Sequence, residues 1–256
     1  MIGAIAGDIV GSVFEVLGMK SMEFPFFTAG SLFTDDTVLT VAVAKAIIED
    51  LPYIETVRDF ARRYPWADYG QVFSIWARSD SGFPYNSWGN GSAMRVSPVG
   101  FAFDSEEKVL EQAKRSAEIT HNHPEGIKGA QAVALAIFLA RKGADKAKIR
   151  QEIASQFDYN LSRSLDAIRP KYEFDVSCQS SVPESIIAFL ESDHLEDAIR
   201  KAISLGGDSD TMACIAGGIA EAFYGPVPNE IMSEVRTRLP EEFLAIIDAF
   251  YRRYMV

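Results

Sequence analysis

Apolar residues recur at every third or fourth position along most of the chain, which is the spacing of helices with one buried face. The clearest example follows Pro240, where the apolar positions are Phe243, Ile246, Ile247, Phe250, Tyr251 and Tyr254. The opposite face carries Glu241, Glu242, Arg252 and Arg253. This pattern predicts a C-terminal amphipathic helix that packs its apolar side on a core.

Several other segments follow the same helical spacing. Three of them are apolar on nearly all sides and predict helices buried in a core: 38–48, 127–139 and 212–223. Two more have one apolar face and predict amphipathic helices: 106–119 and 195–205. Strand signals are confined to two short, ambiguous runs, 24–28 and 99–103. The pattern therefore predicts a compact all-α protein of roughly ten or more helices.

Two segments, 19–33 and 79–91, are the least regular part of the chain. Long irregular segments within a compact domain often carry function. No stretch rich in proline, glycine or serine divides the chain, and 48% of its 256 residues are hydrophobic. We therefore predict a single domain over residues 1–256 with a sizeable core.

The balance of charges bears on the partners that this protein can bind. The chain has 36 acidic and 25 basic residues, which gives a net charge of −11. Binding to nucleic acid requires a basic surface, so this balance argues against a nucleic-acid partner. It leaves room for a small phosphorylated ligand, because such a ligand needs only a local set of N–H donors or a metal ion.

Cysteine usage and the N-terminal residues bear on location. Cys178 and Cys214 have no metal-ligand spacing, and this usage is typical of a reducing cytoplasm. The first residues lack the basic region of a signal peptide and include Asp8 and Glu15. No apolar run reaches the length of a membrane span. We therefore expect a cytoplasmic protein with no membrane partner.

The first predicted helix carries two stripes on an apolar background. One is polar and follows helical spacing: Asp8, Ser12 and Glu15. Its simplest interpretation is a face exposed to solvent. The other consists of glycines four positions apart: Gly3, Gly7 and Gly11. Glycine costs about 1 kcal/mol relative to alanine inside a helix, so three of them indicate close helix packing or a site.

Two clusters of aspartate and threonine each stand directly before a helix that is predicted to be buried. The first is Thr34-Asp35-Asp36-Thr37. The second is Gly206-Gly207-Asp208-Ser209-Asp210-Thr211. Taken singly, each is explained by helix capping, because aspartate and threonine side chains accept hydrogen bonds from the free N–H groups of a helix N-terminus.

The two clusters together make a metal site as good an interpretation as capping alone. If both helices enter one core, their N-termini can converge and bring four carboxylates into one cleft. Four carboxylates could not all ionise there without compensation. Mg²⁺ and Mn²⁺ prefer such oxygen ligands, and two ions about 4 Å apart can orient substrate hydroxyls and activate water. A pair of divalent cations, Mg²⁺ or Mn²⁺, is therefore one interpretation of the two clusters, and capping stays open beside it.

A glycine-containing motif and a histidine pair are the remaining candidates for chemistry. The motif is Trp88-Gly89-Asn90-Gly91-Ser92-Ala93-Met94-Arg95. Its backbone N–H groups could cradle a phosphate before a helix near Ser92, although a turn with an Asn-Gly pair explains it equally well. Trp88 could stack on a base or simply pack. His121 and His123 lack further zinc ligands, so His121 either contacts a phosphate or caps a helix end.

In this order, these motifs resemble those of the ADP-ribosylglycohydrolase family. That family includes the dinitrogenase reductase-activating glycohydrolases and the ADP-ribosyl-arginine and ADP-ribosyl-serine hydrolases. The matching segments are 7–15, 34–37, 89–95, 120–121 and 206–211, so the resemblance spans residues 2–225. It implies an all-α orthogonal bundle that hydrolyses the C1″ glycosidic bond of an ADP-ribosylated protein or a small ADP-ribosyl molecule. Residues 19–33 align least well and bear on the lid over the site.

The resemblance also implies a role for each matching residue. Thr34, Asp35 and Asp36 would hold one ion, and Asp208 and Thr211 the other, with Asp210 touching both. Glu15 would lie on a mobile acidic flap as the acid/base or water-orienting carboxylate, and Asp35 is the second catalytic candidate. Trp88 would lie against adenine. The diphosphate would contact Gly89, Asn90, Gly91, Ser92 and His121.

Two other functions compete with hydrolysis of ADP-ribosyl bonds. One is a catalytically silent relative that binds ADP-ribose or serves as a structural, crystallin-like protein. Such a relative would be expected to lose metal carboxylates, whereas all of them are present together with Glu15. The other is a different metal-dependent hydrolase of phosphorylated ribosides, since a fold does not fix its substrate. The sequence leaves open the linkage, the choice of Mg²⁺ or Mn²⁺ and the oligomeric state.

Overall fold

The computed structural model describes residues 1–255, which form fifteen α-helices and no β-strand. In chain order these are α1 Ile2–Gly11, α2 Asp35–Glu49, α3 Tyr53–Arg63, α4 Gln71–Arg78, α5 Gly91–Met94, α6 Ser97–Ala102, α7 Glu106–Glu118, α8 Pro124–Arg141, α9 Lys146–Phe157, α10 Leu165–Ile168, α11 Cys178–Leu190, α12 Leu195–Ile203, α13 Ser209–Tyr224, α14 Asn229–Thr237 and α15 Glu241–Tyr254. A 3₁₀ helix spans Glu15–Leu17. The prediction of an all-α bundle is confirmed.

The predicted helices appear where the apolar spacing places them. The three segments predicted to be buried lie in α2, α8 and α13, and the two amphipathic segments lie in α7 and α12. In α15 the buried side chains are Phe243, Ile246, Ile247 and Phe250. Neither strand signal is a strand. Residues 24–28 are irregular, and 99–103 fall mostly in α6, which begins at Ser97 and has Pro98 in its first turn, where the fixed φ of proline suits a helix.

Helices α1 and α13 form the centre of the core, and their backbones approach closely. Every residue of α1 is buried. A Cβ atom on Gly7 would lie 2.1 Å from the carbonyl oxygen of Ala213, and one on Gly11 would lie 2.4 Å from the Cα of Asp210. No side chain larger than hydrogen fits at such distances. The close packing predicted from the glycine stripe is therefore confirmed.

The polar stripe predicted on the first helix is wrong. Helix α1 ends at Gly11, and the Ser12 hydroxyl donates to the carbonyl oxygen of Ile9, a local bond that competes with continued helix. Glu15 lies in the following 3₁₀ helix instead of on a third turn of α1. Asp8 is fully buried, so it does not face solvent.

The irregular segment 19–33 packs against helix α12 through one arginine. The Arg200 guanidinium donates to the carbonyl oxygens of Met22 and Phe24 and lies 4.8 Å from the centre of the Phe24 ring. Phe24 in turn packs on Phe14, with ring centres 4.5 Å apart. The segment is thus held on the bundle, and its residues are not among those that line the cleft with the two Asp/Thr clusters.

Among the described helices, none combines the length and apolar character that a membrane span requires. The single domain over residues 1–256, the absence of a nucleic-acid partner and the cytoplasmic location stay predictions.

Candidate metal centre and substrate cleft

Three segments meet at one end of the α1–α13 pair and border a cleft of ≈ 420 Å³. They are the end of α1 with the 3₁₀ helix, the N-terminus of α2 and the N-terminus of α13. The residues with a role implied by the resemblance that line this cleft are Glu15, Asp35, Asp36, Gly89, Asn90, Gly91, His121, Asp208, Asp210 and Thr211. The two Asp/Thr clusters therefore do converge, although 170 or so residues separate them in the chain.

Asp8 anchors the N-terminus of α2 to the end of α1. Its carboxylate accepts hydrogen bonds from the backbone N–H groups of Thr34 and Thr37, each at 3.0 Å. It also accepts from both threonine hydroxyls, that of Thr34 at 2.7 Å. Thr34 is the N-cap of α2, and its hydroxyl oxygen accepts from the N–H of Asp36. The capping interpretation therefore holds for Thr34, and Asp8 orients the cluster.

Asp36 and Asp210 connect the two clusters. The Thr211 hydroxyl donates to Asp36 Oδ2 at 3.2 Å, and the backbone N–H of Thr211 donates to Asp210 Oδ1 at 2.9 Å. Oxygen atoms of Asp8, Asp36 and Asp210 lie within 4.8 Å of one another. Asp36 Oδ1 is buried and has no hydrogen-bond partner among the described residues. A buried acceptor without a partner is costly, so this oxygen points to a ligand that the protein atoms do not supply.

A second group of carboxylates shares Asp210. Oxygen atoms of Glu15, Asp208 and Asp210 lie within 4.8 Å of one another. Asp208 is the N-cap residue of α13 but makes no capping hydrogen bond with its side chain. Instead, its carboxylate accepts from the side-chain amide of Asn90 at 2.7 Å. Helix capping therefore does not explain the hydrogen bonding of the Asp208 carboxylate.

Burial and mutual repulsion raise the pKa values of these carboxyl groups. Burial, and then the charge of Asp210, raise the pKa of Asp8 to about 7, against hydrogen bonds from Thr37 and Thr34 that lower it. The same two causes raise the pKa values of Asp35 and Asp36 well above their usual range. Burial, and then Asp208, do the same to Asp210. The carboxylates can all ionise together only if positive charge is brought to the cleft.

The residues present fit a pair of divalent cations. Hard cations such as Mg²⁺ and Mn²⁺ take carboxylate and hydroxyl oxygens as ligands. The two groups of carboxylates share one member, Asp210. Asp36, whose Oδ1 atom has no hydrogen-bond partner among the described residues, belongs to the group with Asp8. Asp35 lines the same cleft but belongs to neither tight group.

The loop before α5 borders the cleft, but much of its backbone is already bonded. The N–H of Asn90 donates to the carbonyl oxygen of Val176 at 2.7 Å, and the N–H of Gly89 donates to the Ser87 hydroxyl. Ser92 is fully buried, and its hydroxyl donates to the carbonyl oxygen of Gly126. A cradle made of all four backbone N–H groups from Gly89 to Ser92 is therefore not preformed, because two of those donors are in use.

The structure also locates the two aromatic candidates. Trp88 is 53% exposed, packs on His123 with ring centres 5.8 Å apart and lies outside the lining of the cleft. His121 is buried and lines the cleft, and its Nδ1 lies 2.6 Å from the Thr120 hydroxyl. Contact of Trp88 with adenine and of His121 with a phosphate stay predictions.

Sequence reasoning missed Asp8 as a member of the carboxylate centre, and it missed Thr37 and Asn90 as the residues that orient two aspartates. A signal was present for Asp8. A carboxylate between two glycines that pack on another helix cannot reach solvent, and a buried carboxylate requires partners. No comparable signal in the sequence links Asn90 to Asp208.

Comparisons with known proteins bear on the family and the fold. A family model described as "ADP-ribosylglycohydrolase" matches residues 1–255. ADP-ribosylhydrolase ARH3 of Gallus gallus is 29% identical over 87% of this chain and 83% of its own. ADP-ribosylarginine hydrolase Tri1 of Pseudomonas putida (strain GB-1) is 27% identical over 88% and 69%. A solved structure described as an "ADP-ribosylglycohydrolase-related protein complex" covers 98% of this chain and 96% of its own, with a TM-score of 0.77 at 24% identity, which shows a shared fold.

Proposed function

The chain belongs to the ADP-ribosylglycohydrolase family, and we propose that it is a metal-dependent hydrolase that cleaves the C1″ glycosidic bond of an ADP-ribosylated substrate and releases ADP-ribose. The observation that carries this proposal is the pair of carboxylate groups that share Asp210 at the floor of one cleft. A silent, structural relative would have no use for a buried group of repelling carboxylates, which destabilises a protein unless it binds something.

The proposed ligands come from the two Asp/Thr clusters. Thr34, Asp35 and Asp36 would hold one ion, and Asp208 and Thr211 the other, with Asp210 between them and Asp8 beside the first. When bound, two divalent cations would neutralise these carboxylates and orient the ribose hydroxyls near C1″. The protein prepares this arrangement through Asp8, which fixes the start of α2, and through Asn90, which fixes Asp208.

Glu15 is the residue best placed to move a proton. It is half-buried beside Asp208 and Asp210, and burial, then Asp210, raise its pKa to about 7. A carboxyl group with a raised pKa at this position is suited to accept and donate a proton, as general acid–base catalysis requires. In the proposed reaction the oxygen of a water molecule bonds to C1″ and the bond to the leaving group breaks. Glu15 takes the proton from the water and then donates it to the leaving group, so that no proton is gained or lost overall.

We expect Glu15→Gln to reduce turnover by about 10²- to 10⁴-fold, because the amide keeps the size of the side chain and loses the proton transfer. Affinity for ADP-ribose should change little, since the aspartates and the glycine loop are unaltered. The measurements are kcat on an ADP-ribosylated substrate and calorimetric titration with ADP-ribose. Near-normal turnover would show that Glu15 is only part of the cleft wall and would move the search to Asp35 or Asp36.

The matched control is Glu23→Gln, which makes the same chemical change at an exposed position of the neighbouring irregular segment. It should leave both kcat and affinity unchanged. If it lowered turnover as much as Glu15→Gln does, the effect would come from the general loss of negative charge and not from proton transfer.

The mouth of the cleft favours a leaving group with positive charge. Asp68 is exposed and lines the cleft, and its charge helps to raise the pKa of Glu15. Asp68 also adopts a left-handed backbone conformation, with φ of 65°, which non-glycine residues rarely do and which recurs at functional sites. A guanidinium group offers a planar set of donors that suits a carboxylate. We therefore propose that arginine-linked substrates are preferred over serine-linked ones.

We expect Asp68→Asn to lower kcat/KM for an ADP-ribosyl-arginine substrate by about three- to fivefold, which corresponds to a partly exposed ion pair. The value for an ADP-ribosyl-serine substrate should stay nearly constant, so the ratio of the two reports the role of Asp68. Asp158→Asn is the control, because Asp158 is exposed and also left-handed, with φ of 53°, but does not line the cleft. Equal losses on both substrates would contradict a role in choosing the leaving group.

One experiment separates the proposed activity from its alternatives. The protein is incubated with arginine-, serine- and ester-linked ADP-ribosyl substrates in Mg²⁺, in Mn²⁺ and in a chelator, and free ADP-ribose is measured. Release that requires a metal supports the hydrolase. Binding of ADP-ribose without any release would establish the silent relative, and release of ribose or ribose phosphate from other ribosides alone would establish the third candidate.

A further inference from the structure

One buried cation stands beside the cleft, and the proposed reaction does not use it. Arg95, directly after α5, is fully buried and lines the cleft. Its Nη2 atom donates to the carbonyl oxygen of Ser116 at 2.8 Å and to the Thr120 hydroxyl at 2.9 Å. Nε and Nη1 have no partner among the described residues. Burying a charged guanidinium group costs free energy, so the hydrogen bonds that Arg95 makes indicate its role.

The hydrogen bonds of Thr120 have one arrangement that satisfies every atom. A hydroxyl carries a single donor proton and can accept from other groups. Thr120 accepts from Arg95, and its other contact in the described part of the chain is with His121 Nδ1 at 2.6 Å. The hydroxyl proton must therefore be donated to Nδ1. If Nδ1 carried a proton instead, the buried hydroxyl would have no acceptor, which is unfavourable.

This arrangement decides where the imidazole of His121 carries its proton. Burial, and then the charge of Arg95, lower the pKa of His121 well below its usual range, so the ring is neutral at neutral pH. A neutral ring whose Nδ1 accepts a hydrogen bond carries its proton on Nε2. Nε2 faces the glycine loop: a Cβ atom built on Gly91 would lie 3.3 Å from it, and one on Gly89 would lie 3.7 Å away.

We propose that Arg95 and Thr120 are positioning residues that hold His121 as the neutral Nε2–H tautomer, so that it donates one fixed hydrogen bond into the cleft. The acceptor is an oxygen of the ADP-ribosyl group, and this part rests on the proposed function. In this arrangement His121 is a donor and takes no part in proton transfer. It supplies a donor at the glycine loop, where the N–H groups of Gly89 and Asn90 are already occupied.

The test reads the tautomer directly. Protein labelled with ¹⁵N-histidine and loaded with Mg²⁺ is studied by long-range ¹H–¹⁵N NMR without ligand, and the signals of His121 are identified by their loss in His121→Gln. We expect a protonated Nε2 and an unprotonated Nδ1. Thr120→Val removes the donor to Nδ1 and should abolish the single Nε2–H tautomer, with a loss of about two- to tenfold in ADP-ribose affinity. Thr120→Ser keeps the hydroxyl and should restore both.

Arg95→Lys should also weaken the single Nε2–H tautomer. Without the bonds from Nη2, the carbonyl oxygen of Ser116 becomes free to accept the Thr120 hydroxyl proton, and Nδ1 can then carry the imidazole proton. A proton on Nδ1 in the wild type, a charged ring at neutral pH or an unchanged tautomer in Thr120→Val would each overturn the proposal. If either buried variant fails to fold, the wild type and Thr120→Ser still decide it. Wild-type protein with the Nε2–H tautomer but no ADP-ribose binding would overturn the proposed function and leave the tautomer assignment intact.

Discussion

Asp210→Asn should reduce turnover to background while leaving the protein folded. Asp210 belongs to both groups of carboxylates, so its loss weakens both proposed cation sites at once. An asparagine at this position can still accept the hydrogen bond from the N–H of Thr211. The fold should therefore survive, and the metal-free protein should be as stable as the wild type or slightly more so, because one of several repelling charges is removed.

Thermal unfolding with and without metal measures this effect. A cation at 100 times its dissociation constant stabilises the wild type by about 2.7 kcal/mol, or roughly 5 to 10 °C in Tm for a chain of this size. Asp210→Asn should show a much smaller shift. Equal shifts in the two proteins would exclude Asp210 from the metal site, whatever happens to turnover.

Asp145→Asn is the control for this measurement. Asp145 also stands at a helix N-terminus, where it caps α9, but it is exposed and outside the cleft. Asparagine caps helices about as well as aspartate does. The variant should keep wild-type turnover and the full metal-induced shift in Tm.

The two Asp/Thr clusters were predictable because a motif typical of a helix N-terminus stands directly before a segment whose apolar pattern requires burial. Each cluster stands before a segment that is apolar on nearly all sides. Because that segment must be buried in the core, the acidic side chains of the cluster are brought into the core with it. Capping accounts for Thr34, but Asp208 makes no capping bond. The sequence left capping and metal binding open, because both require the same residues at the same positions. Of the two N-cap residues, only Thr34 caps its helix with its side chain.

Other parts of the site could not be predicted from spacing. The polar stripe assumed that α1 continues through Glu15, whereas the chain turns after Gly11. Glu15 nevertheless reaches Asp208 and Asp210, because the 3₁₀ helix returns the chain to the N-terminus of α13. Likewise, the Asn90 amide bonds to Asp208 across more than 100 residues of chain. Such contacts depend on how helices are placed in space, and helical periodicity carries no information on that.

The contact between α1 and α13 ties the fold to the metal centre, and Gly7 is where it can be tested. A Cβ atom on Gly7 would lie 2.1 Å from the carbonyl oxygen of Ala213 and 2.6 Å from the backbone nitrogen of Cys214. Both are helix backbone atoms, which cannot move aside as a flexible side chain can. The helices must separate, and because Asp8 lies on one and Asp210 on the other, the two sides of the carboxylate group separate with them.

We expect Gly7→Ala to destabilise the protein by about 2 to 3 kcal/mol, in the range for overpacked cores, which lowers Tm by roughly 4 to 12 °C. The metal-induced shift in Tm and the turnover should both fall, although no proposed ligand is altered. Gly82→Ala is the control, because Gly82 is exposed and a Cβ atom there meets no other atom within 4 Å. If Gly7→Ala lowers Tm but keeps the full metal-induced shift, the spacing of α1 and α13 serves the fold alone, and the carboxylates are placed by the N-terminus of α2.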